Sequence, residues 1–460
     1  MIDKPDHAFL EYFRCSQEHA AIGTLPGMSA ESGYFRFGDA IAYGRFAGGQ
    51  PAVQANDRLT DVSGDATLVN GRAVLPFDLS EVAANLRQER YPQNGYNLLQ
   101  KTTAGDVAQR LYYLLRPLLG IAVRKHLQKV RLHGWDKIPF PGWPVDRTVD
   151  ALMESTMALV LKAQHRTEIP FIWFWPDAAS TCVMLTHDVE GDDGLAFCDE
   201  LMNIDDAHGF KSAFQLIPEW RPEAWRHAAE QLRGRGFEVN LHDLNHDGHL
   251  FDNREEFLRR AARINAYARE FECAGFRSGV MYRRQDWFDA FEFSYDMSVP
   301  NAAQLEPQRG GCCTVMPYFV GKILELPLTT VQDYTLFHIL DDYTITLWKK
   351  QIDLISRHHG LISLITHPDY LIGRRARGVY IELLRHLNER RDSERMWCAL
   401  PSEINSWWRN RAQMALLRDG EGWRIQGPDS ARASVAYASL NADGHIVYSN
   451  SPPASRRALA

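Results

Sequence analysis

The middle of the chain alternates short apolar runs with amphipathic segments, and this alternation limits the fold more than any other feature. Helical spacing of apolar residues is found over 194–208, 222–234, 253–270 and 344–358. The candidate strands are Cys182–Thr186, Ser212–Ile217, Phe237–Leu241, Ala274–Arg277, Phe293–Asp296, Ile323–Leu326 and Leu361–Ile365. Strands that alternate with helices form a parallel sheet covered by those helices. We therefore predict an α/β protein built on a distorted (β/α) barrel of about seven parallel strands.

The regions on either side of this barrel have different patterns. Aromatic and polar residues alternate with glycines over 33–49, and Asn70-Gly71 separates two apolar runs, which is a hairpin signal. A proline-rich linker at 138–145 precedes a predicted helix over 147–165. We predict four regions, namely a β-rich N-terminal domain at 1–100, a helical linker region at 101–168, the barrel at 169–402, and a helix with a small β appendage at 403–460.

Composition excludes some functions and indicates a compartment. The 51 Lys and Arg against 58 Asp and Glu give a net charge of -7, which disfavours a nucleic-acid-binding protein. The seven cysteines form no C-x-x-C pair, and the N-terminus has no apolar stretch of signal-peptide length. We therefore expect reduced thiols and a cytoplasmic protein.

The segment 105–135 is helical in pattern and carries a basic face. One interpretation is a helix that lies on an anionic membrane surface, which would place the protein at the inner face of a membrane. The other is an ordinary packing helix whose basic face is solvated. The sequence indicates no oligomeric state.

Polar residues gather after four of the predicted strands. Asp188 and Glu190 follow the first, His242 and His246 the third, and Arg277 and His367 follow two later ones. The carboxyl ends of parallel strands meet at one rim, where active sites of such folds lie. Two histidines four residues apart can share one metal ion, and Asp188 or Glu190 could complete the ligand set. The alternative is two surface histidines at chance spacing in a chain with 17 histidines.

These residues resemble a known set of motifs. T-H-D-V-E (186–190), H-D-L-N-H (242–246), F-R-S-G (276–279) and L-I-T-H-P (364–368) resemble, in this order, the polysaccharide deacetylase family, also known as the NodB-homology or carbohydrate esterase 4 group. The resemblance extends over about 170–400 and implies a distorted β/α barrel. Two positions differ from the family pattern. Val189 stands where a metal-binding aspartate is usual, and the third motif lacks its proline.

The resemblance implies a metal-dependent hydrolase that removes N-acetyl groups from an amino-sugar-containing glycan or glycan precursor. A divalent metal, commonly Zn²⁺ in this family, would be held by His242, His246 and either Glu190 or Asp188. Asp188 would be the general base, oriented by Arg277, and His367 would be the general acid. The predicted substrate-binding residues are Tyr295, Asp296 and Asp333.

Two other functions are compatible with the same residues. The barrel could hydrolyse a C–N bond in a small amide or ureide. It could also be a metal-free binding or scaffold unit in glycan assembly, an interpretation that Val189 favours because it is not a metal ligand.

Overall fold

The computed structural model describes residues 6–92, 138–302, 310–420 and 422–450. The predicted helix of 105–135 therefore lies outside the described residues. Within the described ranges, no helix has the length and apolar character needed to cross a membrane.

The N-terminal part contains several short strands. Its elements are α1 (His7–Phe13), β1 (Ile22–Thr24), β2 (Gly33–Phe37), β3 (Ala40–Gly44), β4 (Thr67–Val69), β5 (Arg72–Leu75) and α2 (Leu79–Arg87). The predicted hairpin turn is confirmed, because Asn70 and Gly71 have φ values of 50° and 77° and connect the antiparallel pair β4 and β5.

The central part contains the predicted alternation of strands and helices. It begins with α3 (Thr148–Ala163) and β6 (Glu168–Ile172). The strands of the main sheet are β7 (Cys182–Val189), β8 (Ala213–Leu216), β9 (Glu238–His242), β10 (Gly275–Arg277), β11 (Tyr295–Asp296), β12 (Tyr318–Val320), β13 (Ile323–Glu325), β14 (Leu361–Thr366) and β15 (Trp397–Cys398). The helices are α4 (Asp192–Ala207), α5 (Pro222–Gly234), α6 (Arg254–Glu270), α7 (Thr346–Ser356), α8 (Pro368–Leu371) and α9 (Arg374–Ser393).

The main sheet is a curled, mostly parallel sheet in the order β12-β13-β11-β10-β9-β8-β7-β14, and β15 also pairs with β7. All seven predicted strands are present and run parallel to one another. Two short strands, β12 and β15, were not predicted, and β12 is antiparallel. The curl is evident from Arg277 on β10, which contacts Asp188 on β7 although two strands lie between them.

Hydroxyl groups connect the segment after β13 to β14, the strand at the other end of the main sheet. Thr329 Oγ1 donates to the carbonyl of Leu361 at 2.7 Å and accepts from the amide of Ser363 at 2.9 Å. Thr330 Oγ1 donates to the carbonyl of Ser363 at 2.8 Å. These bonds replace the backbone ladder that a fully closed barrel would have at this position.

Alternation along β7 separates two environments. Val183, Leu185 and Val189 pack in the core between the sheet and its helices, whereas Met184 packs with barrel-interior residues such as Leu324. Because successive side chains of a strand point to opposite faces, Asp188 shares the inner face with Met184. The buried Val189 therefore fills the outer core.

The C-terminal part has one helix and four strands. These are α10 (Pro401–Gln413), β16 (Ala415–Asp419), β17 (Gly422–Gln426), β18 (Val435–Leu440) and β19 (Ile446–Ser449). The pattern of 401–417 in the sequence predicts a helix as far as Leu417, but the observed helix is shorter. It ends at Gln413 because 415–419 pairs with β17 in an antiparallel ladder.

One hydrophobic core joins the two ends of the chain. β6 pairs antiparallel with β18, and residues of α1, α3, β6 and α10 share a core with the N-terminal strands. Phe13, Phe171 and Tyr448 contact one another there, with ring centroids 5.3 to 6.5 Å apart. The division of the chain into four regions stays a prediction.

Candidate active site

The predicted site residues lie at the carboxyl ends of the barrel strands. Asp188 is near the end of β7 and Glu190 follows it, while His242 ends β9 and Arg277 ends β10. His367 follows β14 directly. The parallel register of these strands brings all five residues to one rim.

Glu190, His242 and His246 form a group that could hold a metal ion, since one ligand atom of each lies within 4.8 Å of the others. Glu190 Oε1 is 3.3 Å from His242 Nε2 and 3.0 Å from His246 Nε2. The Glu190 side chain is 27% exposed and the His242 side chain 1%, so solvent reaches the group from the carboxylate side. Of the two carboxylates considered from the sequence, Glu190 is the one in this group.

The orientation of these groups fits a metal. His242 Nδ1 lies 3.2 Å from the carbonyl oxygen of Arg277, and this contact directs Nε2 of the same ring toward Glu190. His246 Nε2 is buried and makes no hydrogen bond to the described residues. Burial would raise the pKa of Glu190, but His246 and His367 outweigh it and hold that pKa well below its usual value. Two imidazoles and one carboxylate are a common ligand set for Zn²⁺ and similar divalent ions.

Gly279 of the third motif allows the second histidine to approach. A Cβ atom at this position would lie 2.5 Å from Asp243 Oδ2 and 3.0 Å from His246 Cδ2. A side chain at this position would therefore displace the carboxylate of Asp243 and press on the ring of His246. Close contact with the loop that carries His246 therefore explains why the motif F-R-S-G ends in glycine.

Asp188 is bound by a cation and has one oxygen near the metal-ligand group. Arg277 Nη1 donates to Asp188 Oδ1 at 2.7 Å and to Thr186 Oγ1 at 2.8 Å, and Arg277 Nε donates to the carbonyl of Met297 at 3.0 Å. Asp188 Oδ2 lies 3.9 Å from His242 Nε2. Burial raises the pKa of Asp188. The charges of Arg277, His242 and His367 together outweigh burial, so the pKa of Asp188 lies below its usual value. The carboxylate is therefore ionised and can accept a proton.

His367 is held by Asp333. The Nδ1 atom of His367 donates to Asp333 Oδ1 at 2.7 Å, and its amide donates to Oδ2 at 2.7 Å. Its Nε2 faces Glu190 Oε1 at 3.6 Å. Burial lowers the pKa of His367, but Asp333 and Glu190 outweigh burial and raise that pKa well above its usual value. His367 is therefore an imidazolium that can donate a proton from Nε2.

The structure does not bring the three predicted substrate-binding residues to the open side of the site. Asp333 is fully buried behind His367, so it orients that ring. Tyr295 donates to Glu238 and Asn240, and Glu238 begins β9 at the opposite end of the barrel from His242. Asp296 accepts from the amide and hydroxyl of Ser298, beside Glu325 on the outer face of the sheet.

Sequence reasoning missed Asp369, which connects two parts of the rim. Asp369 Oδ1 accepts from the amide of Gly194 at 3.0 Å, in the first turn of α4. The sequence feature that could have indicated this contact is the G-D-D-G segment at 191–194. Cβ atoms on Gly191 and Gly194 would lie 2.3 Å and 2.0 Å from its carboxylate oxygens. The two glycines thus make room for Asp369, which ties the chain after Glu190 to the chain after His367.

We expect Gly194→Ala to destabilise the protein by about 1–3 kcal/mol, because the added methyl group displaces Asp369 from its bond to the helix end. The matched control is Gly378→Ala in α9, where a Cβ meets nothing within 4 Å. That change should stabilise the protein by about 0.5–1 kcal/mol, the usual gain of alanine over glycine in a helix. Urea denaturation measures both, and equal effects of the two variants would contradict the predicted crowding.

No protein-family model and no curated protein matches the sequence. Among solved structures, one described as a polysaccharide deacetylase from Mycobacterium smegmatis aligns over 52% of this chain and 93% of its own, at 18% identity and a TM-score of 0.42. The allantoinase PuuE aligns over 51% and 92%, at 10% identity and a TM-score of 0.40. The peptidoglycan deacetylase PdaC from Bacillus subtilis aligns over 50% and 93%, at 11% and 0.33. These values are too low to assign an activity to this chain.

Proposed function

We propose that this protein is a metal-dependent hydrolase that removes N-acetyl groups from an amino-sugar-containing glycan or glycan precursor. The observation that carries the proposal is the grouping of Glu190, His242 and His246 within 4.8 Å, between an arginine-bound carboxylate and a carboxylate-bound imidazole. These are the components that hydrolysis of an amide needs, namely a ligand set, a base and an acid. The N-acetyl substrate class rests on the resemblance of the four motifs to polysaccharide deacetylases.

In this proposal Glu190, His242 and His246 hold a divalent metal such as Zn²⁺. When bound, such an ion acidifies water and polarises an amide carbonyl. Asp188 Oδ2 takes the proton from the attacking water, while Arg277 keeps Oδ1 fixed and the carboxylate ionised. A C–O bond forms to the acetyl carbon and its C–N bond breaks. His367 Nε2 gives its proton to the leaving amine nitrogen, and the products are acetate and a free amino sugar.

Acetate release from a chitin oligomer tests the proposal. The protein is stripped with a chelator, assayed, and assayed again after addition of Zn²⁺, Co²⁺ or Mn²⁺. We expect no release from the stripped protein and recovery with at least one of the ions. A parallel assay with allantoin tests the small-ureide alternative. Activity on allantoin alone would replace the substrate class, and a protein that binds none of the ions would contradict the proposal in favour of a metal-free binding unit.

The two kinds of histidine should respond differently to substitution. His242→Ala should abolish both metal binding and acetate release, because it removes a buried ligand. His367→Ala should keep the metal and lose about 10²–10⁴-fold in turnover, the usual contribution of a positioned general acid. His249→Ala is the matched control, since His249 lies in the same ligand loop but is 61% exposed and pairs with Asp252. A fully active His367→Ala protein would show that the general acid is another group.

A further inference from the structure

The residues directly before and after His246 in the chain contact one side chain of helix α6. Arg260 binds both carboxylate oxygens of Asp247, with Nη1 to Oδ1 at 2.6 Å and Nη2 to Oδ2 at 2.8 Å. Its Nη1 is also 3.5 Å from Asn245 Oδ1, and its Nε donates to Glu256 at 2.5 Å. Arg260 thus contacts the residues immediately before and after His246. Its side chain is only 9% exposed and that of Asp247 33%, so this pair is more shielded than an ordinary surface ion pair.

The loop that Arg260 holds has an unfavourable backbone. His246 and Asp243 have φ values of 59° and 58°, in the left-handed region that residues with a Cβ rarely adopt. Such conformations cost about 1–3 kcal/mol each and persist only where the surroundings impose them. Without restraint, the chain around His246 would relax to negative φ and turn the imidazole away from Glu190.

The restraints on the two sides of His246 are different. Before His246 in the chain, two backbone hydrogen bonds hold the loop. The amide of Asp243 donates to the carbonyl of Arg277 at 2.8 Å, and the carbonyl of Leu244 accepts from the amide of Glu219 at 3.1 Å. On the other side, the side chain of Asp247 is bound by Arg260 and accepts from the amide of His249 at 2.9 Å. The bidentate contact to Arg260 therefore connects the residue directly after His246 to helix α6, ahead of the point where Phe251 packs on Phe257 of the same helix.

We propose that Arg260 is a positioning residue for the metal ligand His246, acting through Asp247. This inference rests on the proposed metal-dependent function. A bidentate guanidinium–carboxylate pair fixes both distance and angle, which a single point charge does not. Arg260 touches neither the ligand atoms nor the substrate, so its effect should appear in metal affinity first. Loss of partners that orient a ligand commonly weakens metal binding by about 10–100-fold.

Metal titration of purified full-length variants tests this. Zn²⁺ affinity is measured by competition with a chelating dye for the native protein, Arg260→Ala, Arg260→Lys and Arg259→Ala. Arg259 is the matched control because it is the adjacent residue, is 57% exposed and pairs with the same Glu256, but makes no contact with the loop. We expect Arg260→Ala to raise the Kd by about 10–100-fold, Arg260→Lys by less, and Arg259→Ala not at all.

A second variant separates positioning from general destabilisation. Asp247→Asn removes the carboxylate of the same pair, so it should weaken metal binding, and combining it with Arg260→Ala should add little. The free energy of unfolding is measured in parallel on stripped protein. Unchanged Zn²⁺ affinity in Arg260→Ala, or an equal loss in Arg259→Ala, would overturn the inference. If Arg260→Ala does not fold, Arg260→Lys and Asp247→Asn decide the result by the same criterion.

The two proposals can fail separately. Metal binding that depends on Arg260 in a protein that releases no acetate would overturn the deacetylase function and keep the positioning role. Acetate release by the native protein, together with native-like Zn²⁺ affinity in Arg260→Ala, would keep the deacetylase function and overturn the positioning role. A native protein that binds none of the tested ions would overturn both.

Discussion

Asp188→Asn should lower the turnover of N-acetyl hydrolysis by about 10²–10⁴-fold while the metal content stays near that of the native protein. The asparagine has nearly the same shape but cannot accept the proton of the attacking water. Asp188 Oδ1 is occupied by Arg277 at 2.7 Å, and its Oδ2 is 3.9 Å from His242 Nε2, so Asp188 stands beside the ligand group and not within it. Acetate release and metal content per chain are measured on the same preparation.

Glu190→Gln is the variant with which Asp188→Asn is compared, because it separates the loss of a metal ligand from the loss of a base. Glu190 Oε1 lies 3.0 Å and 3.3 Å from the two histidine nitrogens, so its amide variant should lose both metal and activity. An emptied site in Asp188→Asn together with a full site in Glu190→Gln would exchange the two roles. Because Asp188→Asn leaves the buried Arg277 without its ion-pair partner, circular dichroism of both variants checks that each is folded.

Much of the barrel could be predicted because it follows from local patterns. Most of the seven predicted strands are buried apolar runs, and such runs keep their secondary structure in the fold. The variant first motif also follows a local rule. In T-H-D-V-E the side chains alternate, so Asp188 and Glu190 have the same parity and Val189 packs in the outer core. The valine in place of the usual aspartate is therefore compatible with two carboxylates at the rim.

The parts that the sequence did not predict depend on contacts between distant segments. Asp333 pairs with His367, which is 34 residues away in the chain, and no local pattern around Asp333 indicates this contact. Tyr295 begins a strand of two residues, and a strand that short does not show from sequence which end of the barrel its side chain faces. Asp369 and Gly194 meet over 175 residues, and Arg260 belongs to a helix whose surface charges look like ordinary solvated pairs.

The N-terminal part of the chain contacts the loop that carries Gly279. Glu89, after α2, forms an ion pair with Arg283 in which the side chains are 7% and 5% exposed, and Arg283 Nε donates to Glu89 Oε2 at 2.6 Å. Arg283 also donates to the carbonyl of Met281 at 2.9 Å. Val280 and Met281 have φ values of 56° and 55°, so this loop too has an unfavourable backbone that neighbouring contacts maintain.

Glu89→Ala should therefore lower the free energy of unfolding by about 3–5 kcal/mol, because it removes the carboxylate that pairs with the buried guanidinium of Arg283. Guanidinium denaturation measures the change. Glu81→Ala is the control in the same part of the chain. Glu81 pairs with Arg45, whose side chain is 49% exposed, so its loss should cost about 1 kcal/mol or less.

A loss below about 1 kcal/mol in Glu89→Ala would contradict the prediction and would mean that the remaining contacts of Arg283 compensate for the lost carboxylate. With the expected loss, Zn²⁺ affinity measured well below the melting temperature separates two consequences. Affinity that falls with stability would show that the N-terminal part holds the Gly279 loop against His246. Unchanged affinity would limit Glu89 to joining the N-terminal strands to the barrel, since the Gly279 contact would then persist without it.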